Sequence, residues 1–73
     1  MRQVSIRVRF DRLSAREREV MSGVLKGRLN KQIAQELDIG EKTVKVHRAR
    51  VMEKMEVRSV AELVQLCSEL PIG

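Results

Sequence analysis

Apolar residues recur every three or four positions along four stretches of this chain, which is the spacing of amphipathic helices. The pattern predicts helices at about 15–26, 31–37, 41–55 and 60–69. Their apolar sides must cover one another, and 73 residues suffice for one small core. The predicted fold class is therefore all-α, a compact four-helix domain.

The first twelve residues carry a weaker pattern. Apolar and polar residues alternate up to Phe10, as in a strand, but Ile6, Phe10 and Leu13 also share one face of a helix. A lone strand would lack a partner, so a short helical turn over 7–12 is favoured. The predicted boundaries are a linker or short helical segment at 1–12, a domain at 13–70 and a C-terminal tail at 71–73.

Residues that cap helices mark the ends of the predicted elements. Ser14 and Glu17 form an S-x-x-E capping box before the first clear helix, and Ser59 with Glu62 repeats it before the last. Gly27 is placed to end the first helix in a left-handed conformation, which a side chain would resist.

The segment 30–55 is predicted to be two helices joined by a turn at Asp38, Ile39 and Gly40. Asn30 is the expected N-cap of the first helix, and Gly40 is the turn residue best able to adopt an unusual backbone angle. This layout is typical of a helix-turn-helix, whose second helix lies in a DNA groove.

The second helix of this pair has two unlike sides. Val44, Val51 and Met55 fall on one line, with Arg48 beside them. The opposite side is mostly cationic and carries Lys42, Lys45, Val46, Ala49 and Glu53. Such a side suits a DNA groove, although Lys and Arg often do no more than solvate an exposed helix. The tight turn and the shorter helix before it favour DNA.

The charge balance agrees with a DNA partner. The formal net charge is +5 and the pI about 10.2, and a basic small domain suggests a polyanionic partner. Phe10 is the single aromatic residue. This argues against an RNA or single-strand binder, because such proteins stack bases on aromatic rings.

Residues suited to catalysis are few. The chain has one His, one Cys and none of the usual phosphate-loop, zinc-protease or nucleophile-elbow motifs, so no enzymatic activity, metal or cofactor is expected. His47 suits either packing or a hydrogen bond to phosphate, and Cys67 a place in the core. Glu19 lies among apolar positions and is expected to pair with a basic residue of a later helix.

The same composition favours a reducing, cytoplasmic setting, since a single cysteine excludes an intramolecular disulfide. No apolar run approaches the ~18 residues of a membrane span. The basic N-terminus is not followed by a continuous apolar stretch, so no signal peptide is expected.

The last predicted helix carries an apolar stripe and further apolar residues beside it. The stripe consists of Val60, Leu63, Val64 and Cys67. These residues either complete the core of the monomer or leave surface that packs on a second copy of the domain.

Several spaced segments together resemble the LuxR-type helix-turn-helix domain found at the C-terminus of bacterial transcription regulators, in particular the NarL/FixJ response-regulator group. They are 13–20 (LSAREREV), 27–34 (GRLNKQIA), 37–48 (LDIGEKTVKVHR), Lys54-Met55 and Val57-Arg58-Ser59. The resemblance covers nearly the whole chain in the right order.

The resemblance implies binding to double-stranded promoter DNA, with the third predicted helix in the major groove and the fourth as the contact of a homodimer. Base contacts are expected from Lys45, Val46 and Ala49, the last standing where some members carry Lys. Phosphate contacts are expected from Asn30, Lys31, Lys42, Thr43, His47 and Arg50, and the dimer contact from Val60, Leu63, Val64 and Cys67. The family also implies a phosphorylatable receiver domain ahead of residue 1, which this chain does not contain.

A second hypothesis is a protein-interaction module, in which the last helix and the basic helix contact an acidic partner such as RNA polymerase. Binding to duplex DNA at low salt separates the two hypotheses, because the interaction module would give none.

Overall fold

The computed structural model describes residues 5–68, and every regular element in that range is a helix. The helices are α1 (Ile6–Asp11), α2 (Ala15–Leu25), α3 (Asn30–Leu37), α4 (Glu41–Lys54) and α5 (Val60–Cys67). None of these five is long and apolar enough to cross a membrane. The all-α class is confirmed: α2 to α5 are the four predicted helices, and α1 is the short helical segment favoured ahead of them.

The predicted capping boxes form at α2 and, in part, at α5. Ser14 Oγ accepts from the Glu17 N–H at 3.1 Å, and Glu17 Oε1 accepts from the Ser14 N–H at 2.9 Å. Ser59 Oγ likewise accepts from the Glu62 N–H at 3.1 Å. The Glu62 carboxylate, however, accepts from the N–H of Arg58 rather than from that of Ser59, so the second box is half formed.

The end of α2 follows the prediction, since Gly27 has a left-handed φ of 80°. The predicted end of the last helix at 69 and the tail at 71–73 lie outside the described residues. The boundary between linker and domain at residue 12 stays a prediction.

Two predictions about the helix-turn-helix are wrong. Asn30 is not the N-cap of α3; Leu29 is, and its N–H donates to the Gln32 side chain at 2.8 Å, which starts the helix one residue earlier. The left-handed turn residue is Asp38, with φ 56°, whereas Gly40 has an extended φ of −77°. Asp38 ends α3, where a left-handed residue is needed, and its short polar side chain tolerates that conformation. Gly40 is the N-cap of α4, where extended backbone is normal.

The core lies between α4 and the helices that surround it. α4 packs against α2 and α3, and α2 also contacts α3 and α5. The buried apolar residues are Leu13, Val20, Met21, Val24, Ile33, Ala34, Val44, Val51, Met55, Leu63 and Cys67. α2 and α3 pack closely at Gly23, where an added Cβ would lie 2.7 Å from Cγ1 of Ile33. This contact fixes α3, and with it the start of the helix-turn-helix, against α2.

One buried ion pair joins α2 to the end of α4. The Glu17 side chain is 5% exposed, and its Oε1 accepts from Lys54 Nζ at 2.8 Å. The hydrogen bond from Lys54 holds the pKa of Glu17 below its usual value, although burial acts in the opposite direction.

The prediction that Glu19 pairs with a later helix is wrong. Glu19 is exposed and contacts Arg16 of its own helix at 3.2 Å, whereas Glu17 makes the interhelical pair.

Candidate nucleic-acid interface

α3, the turn at 38–40 and α4 form a helix-turn-helix. The N–H of Ile39 donates to the carbonyl of Ala34 at 3.0 Å, which satisfies the end of α3, and the left-handed Asp38 redirects the chain. Ile39 is half-buried and packs against the core. The turn is thereby tied to α3 before α4 begins.

α4 presents one side to the core and the other to solvent. Val44 and Val51 are 0% and 1% exposed. The exposed side carries Lys42, Thr43, Lys45, Val46, Ala49 and Arg50. Val46 stands out because it is apolar and yet 50% exposed, in the middle of cationic neighbours. The structure thus brings the three predicted base-contacting residues onto one accessible side of one helix.

Four exposed cations of the helix-turn-helix make no ion pair among the described residues, as is also true of Arg7, Lys26 and Arg58 outside it. Within residues 5–68, the cations in ion pairs are Arg9, Arg12, Arg16, Arg18, Arg28 and Lys54. In the same range Lys31, Lys42, Lys45 and Arg50 make no ion pair and are exposed. Positive charge therefore exceeds negative charge on the exposed side of α4, where Lys42, Lys45 and Arg50 outnumber Glu53, and this excess suits a polyanion.

The N-cap side chains of α3 and α4 accept no hydrogen bond from the amides of the first turn. Leu29 and Gly40 occupy the two N-cap positions and make no capping hydrogen bond with their side chains. The leading amides of both helices therefore keep their partial positive charge. Lys31 and Lys42 lie in these same turns, so amides and ammonium groups of like sign are placed together.

Asn30 and His47 occupy less open positions than the lysines. The Oδ1 of Asn30 accepts from Nη1 of Arg48 at 3.0 Å, so a residue predicted for phosphate is already bonded to α4. His47 is half-buried, and its Nδ1 is enclosed without a hydrogen-bond partner among the described residues. This leaves Nε2 as the ring nitrogen able to reach a ligand.

A family model described as "Bacterial regulatory proteins, luxR family" matches residues 11–67, which contain α2 to α5 entire. The chain belongs to the luxR family. It is a LuxR-type helix-turn-helix DNA-binding domain. No cluster of His, Cys, Asp and Glu that could hold a metal occurs among residues 5–68.

Individual relatives of this LuxR-type domain are response regulators. The response regulator protein TmoT of Ectopseudomonas mendocina is 51% identical over 65 residues, covering 89% of this chain and 30% of TmoT. The structure of full-length FixJ from B. japonicum superposes with a TM-score of 0.82 at 49% identity, over 86% of this chain and 31% of that one. The response regulator StyR gives a TM-score of 0.87 at 46% identity, over 89% and 33%. The chain thus spans about a third of the relatives that it matches. TmoT and StyR are described as response regulators, and together with the luxR family match this confirms the expectation that the chain is not an enzyme.

In this LuxR-type domain the four predicted dimer residues do not share one environment. Leu63 and Cys67 are 0% and 6% exposed and belong to the core of the monomer. Val64 is 44% exposed and Val60 is half-buried. Burial also raises the pKa of the Cys67 thiol, which keeps it protonated and inert at neutral pH. Of these four residues, Val60 and Val64 are therefore the ones with accessible surface for a contact with a second copy.

The sequence prediction gave Arg48 no role. Its place beside the apolar line of α4 was visible, but its bond to Asn30 joins two helices and has no local sequence pattern. The signal that was available is the combination of a cation on the core side of α4 with a polar residue at the first turn of α3.

Proposed function

We propose that this domain binds double-stranded promoter DNA in a sequence-specific manner, as the effector part of a bacterial two-component response regulator that controls transcription. In this proposal α4 enters the major groove and α3 lies across the phosphate backbone. The observation that supports it most is the exposed side of α4, where cations without ion pairs surround an exposed apolar residue, Val46.

Lys45, Val46 and Ala49 are proposed as the base contacts. Lys45 donates to the O6 or N7 acceptors of guanine. Val46 and Ala49 lie three residues apart, so they are neighbours on the helix and offer apolar contact to thymine methyl groups. Ala49 carries no donor, so the chemistry on this side of α4 favours one hydrogen-bonded base beside methyl-bearing ones.

Phosphate contacts are proposed to fix the position of the domain on the duplex. The set is Asn30, Lys31, Lys42, Thr43, His47 and Arg50. Lys31 and Lys42 are supported by the uncapped amides beside them, since helix N-termini favour phosphate. Asn30 retains two amide N–H donors after Arg48 has taken its oxygen, and His47 retains Nε2.

A homodimer on paired half-sites is proposed to form through α5. Val64 and Val60 supply its apolar contact, and Leu63 and Cys67 support them from the core side. In the same proposal a receiver domain precedes this chain and the protein is cytoplasmic. The relatives support it by their description as response regulators and by the two thirds of their length that this chain does not cover.

The exposed Val64 also favours a second candidate function. A partner protein such as RNA polymerase could meet the apolar side of α5 while an acidic surface meets α4. This candidate requires no DNA binding by the isolated chain, whereas the proposed function requires it.

The salt dependence of duplex binding tests the proposed function. About four cations, Lys31, Lys42, Lys45 and Arg50, are placed to displace counterions, so the logarithm of the association constant is expected to fall with a slope of about −4 against log salt. Fluorescence anisotropy with a labelled duplex measures this slope. Absence of binding at low salt, or a slope near zero, would contradict DNA binding and favour the interaction module.

A further inference from the structure

The hydrogen bond between Arg48 and Asn30 closes the helix-turn-helix at the end opposite its turn. Nη1 of Arg48 lies 3.0 Å from Oδ1 of Asn30. The guanidinium has only donors, so the amide oxygen must be the partner and the orientation of the Asn30 amide is determined. Asn30 begins α3 and Arg48 lies in the middle of α4, so the bond joins the two helices directly.

Asn30 and Arg48 both lie far from the turn, so a bond between them constrains the angle between α3 and α4. Each residue lies about 10 Å along its helix axis from the turn, at a rise of ~1.5 Å per residue. The turn itself is fixed by the bond between Ile39 and Ala34. The remaining contacts between α3 and α4 include apolar side chains, which are not directional. The Arg48–Asn30 bond is therefore the directional constraint at the open end.

Arg48 also differs from the other cations of α4. It is half-buried beside the apolar line of the helix, whereas Lys42, Lys45 and Arg50 are exposed. One of its donors is held by Asn30, so the position of its guanidinium is set by α3 as well as by α4. The exposed cations of α4 have no such partner on α3.

We infer that Arg48 is a positioning residue, which acts through Asn30 to set the angle of α4 and thereby the sequence discrimination of the domain. The inference rests on the proposed function. A tilt of about 6° about the turn moves the middle of α4 by about 1 Å, at the helix length given above. A hydrogen bond to a base edge tolerates only a few tenths of an ångström. Contacts to phosphate made by long exposed lysines tolerate such a shift.

The inference predicts a loss of discrimination without a loss of charge contacts. Arg48→Met keeps an aliphatic side chain and removes the donors. The ratio of affinities for a duplex selected by the wild-type chain and for a random duplex is expected to fall about tenfold, the scale of one mismatched base pair. The salt slope on random duplex is expected to stay unchanged.

Arg50→Met is the matched control, because it removes the same group two positions along, from the exposed side of α4. As a proposed phosphate contact, it is expected to reduce the magnitude of the salt slope by about 0.9 and to leave the ratio nearly unchanged. If Arg48→Met behaves like Arg50→Met, Arg48 contacts phosphate and the inference is overturned.

Asn30 variants separate positioning from a general effect on folding. Asn30→Ala removes the acceptor and is expected to lower the ratio as Arg48→Met does, with the double variant no worse than either. Asn30→Asp keeps the acceptor for Arg48, so the ratio is expected to be retained even though the added charge weakens binding to both duplexes. Thermal unfolding, followed by circular dichroism, identifies variants that are folded at the temperature of the assay.

The outcomes distinguish the inference from the proposed function. Wild-type binding to both duplexes, with the ratio retained in Arg48→Met and Asn30→Ala, overturns the inference and leaves the proposed function standing. A wild-type chain that binds neither duplex at low salt overturns both. An equal fall of the ratio in Asn30→Asp and Asn30→Ala shows that the bond to Arg48 is not the cause, and also overturns the inference.

Discussion

Lys54→Met is expected to lower the free energy of unfolding by about 3 kcal/mol, because it leaves the Glu17 carboxylate buried without its partner. This is the lower end of the range for breaking a buried pair, since the Lys54 side chain is 32% exposed. For a domain of this size it is a large share of the total stability. Chemical denaturation at neutral pH measures the change.

Arg28→Met is the matched control for this variant. The Arg28–Glu36 pair is shorter, at 2.6 Å, but both side chains are more than 40% exposed. Solvent screens an exposed pair, so its loss is expected to cost at most about 1 kcal/mol. Equal losses in the two variants would show that burial of Glu17 is not what makes its pair important.

The same pair gives the wild-type protein a pH dependence of known sign. The folded-state pKa of Glu17 lies below the ordinary 4.5, mainly because Lys54 donates to it. Its contribution to stability is therefore complete above the unfolded-state value and is lost as the pH falls through the folded-state value. The stability gap between wild type and Lys54→Met is expected to narrow as the pH falls and Glu17 becomes protonated, because the neutral carboxyl no longer needs its partner. A gap that is constant from pH 7 to pH 3 would contradict this account.

Lys45→Ala is expected to reduce affinity for a selected duplex by about tenfold or more, the scale of one specific base contact. On random duplex the loss is expected to be smaller, since only one of several cations is removed. Lys45 is exposed and unpaired within residues 5–68, so the change leaves the core intact. Parallel titrations of the two duplexes measure the difference.

Lys26→Ala is the control for Lys45→Ala. Lys26 is exposed, makes no ion pair within the described range and lies just beyond the end of α2, outside the helix-turn-helix. Its removal is expected to change both affinities slightly and equally. If Lys45→Ala lowers the affinity for both duplexes by the same factor, Lys45 contacts phosphate only and the proposal that it recognises a base is wrong.

The helices could be predicted from the sequence because amphipathic spacing and caps are local signals. The error in the turn concerns the choice between Asp38 and Gly40. Both residues accept unusual backbone angles, and which of them does so depends on where the hydrogen bonds of α3 end. That end is defined by the N–H groups of Asp38 and Ile39, which donate to carbonyls within α3, and the residue types of the turn do not specify it.

The buried ion pair shows a signal that was present and overlooked. Glu17 lies three, four and seven residues before Val20, Met21 and Val24, so it shares their buried face, whereas Glu19 does not. Glu17 was assigned to the capping box alone, but its carboxylate also accepts a hydrogen bond from Lys54. The partner, Lys54, could not be inferred from spacing because it lies 37 residues away and depends on how α4 packs against α2.

For the interface, the sequence predicted which side of α4 is exposed, but not which of its polar residues remain available. Lys45, Val46 and Ala49 lie on the accessible side, as expected. The Asn30 side-chain oxygen accepts a hydrogen bond from Arg48, and this bond depends on how α3 packs against α4. Leu63 likewise has the apolar spacing of Val60 but is closed inside the core.

The most direct test of sequence-specific DNA binding is a titration of the ¹⁵N-labelled chain with the selected duplex, followed by amide chemical shifts. The account predicts the largest changes on the exposed side of α4, from Lys42 to Arg50, and at the start of α3. Random duplex is expected to change the amide chemical shifts near Lys31 and Lys42, and to change those of Val46 and Ala49 less. Changes confined to α5, or none at low salt, would contradict DNA binding through α4.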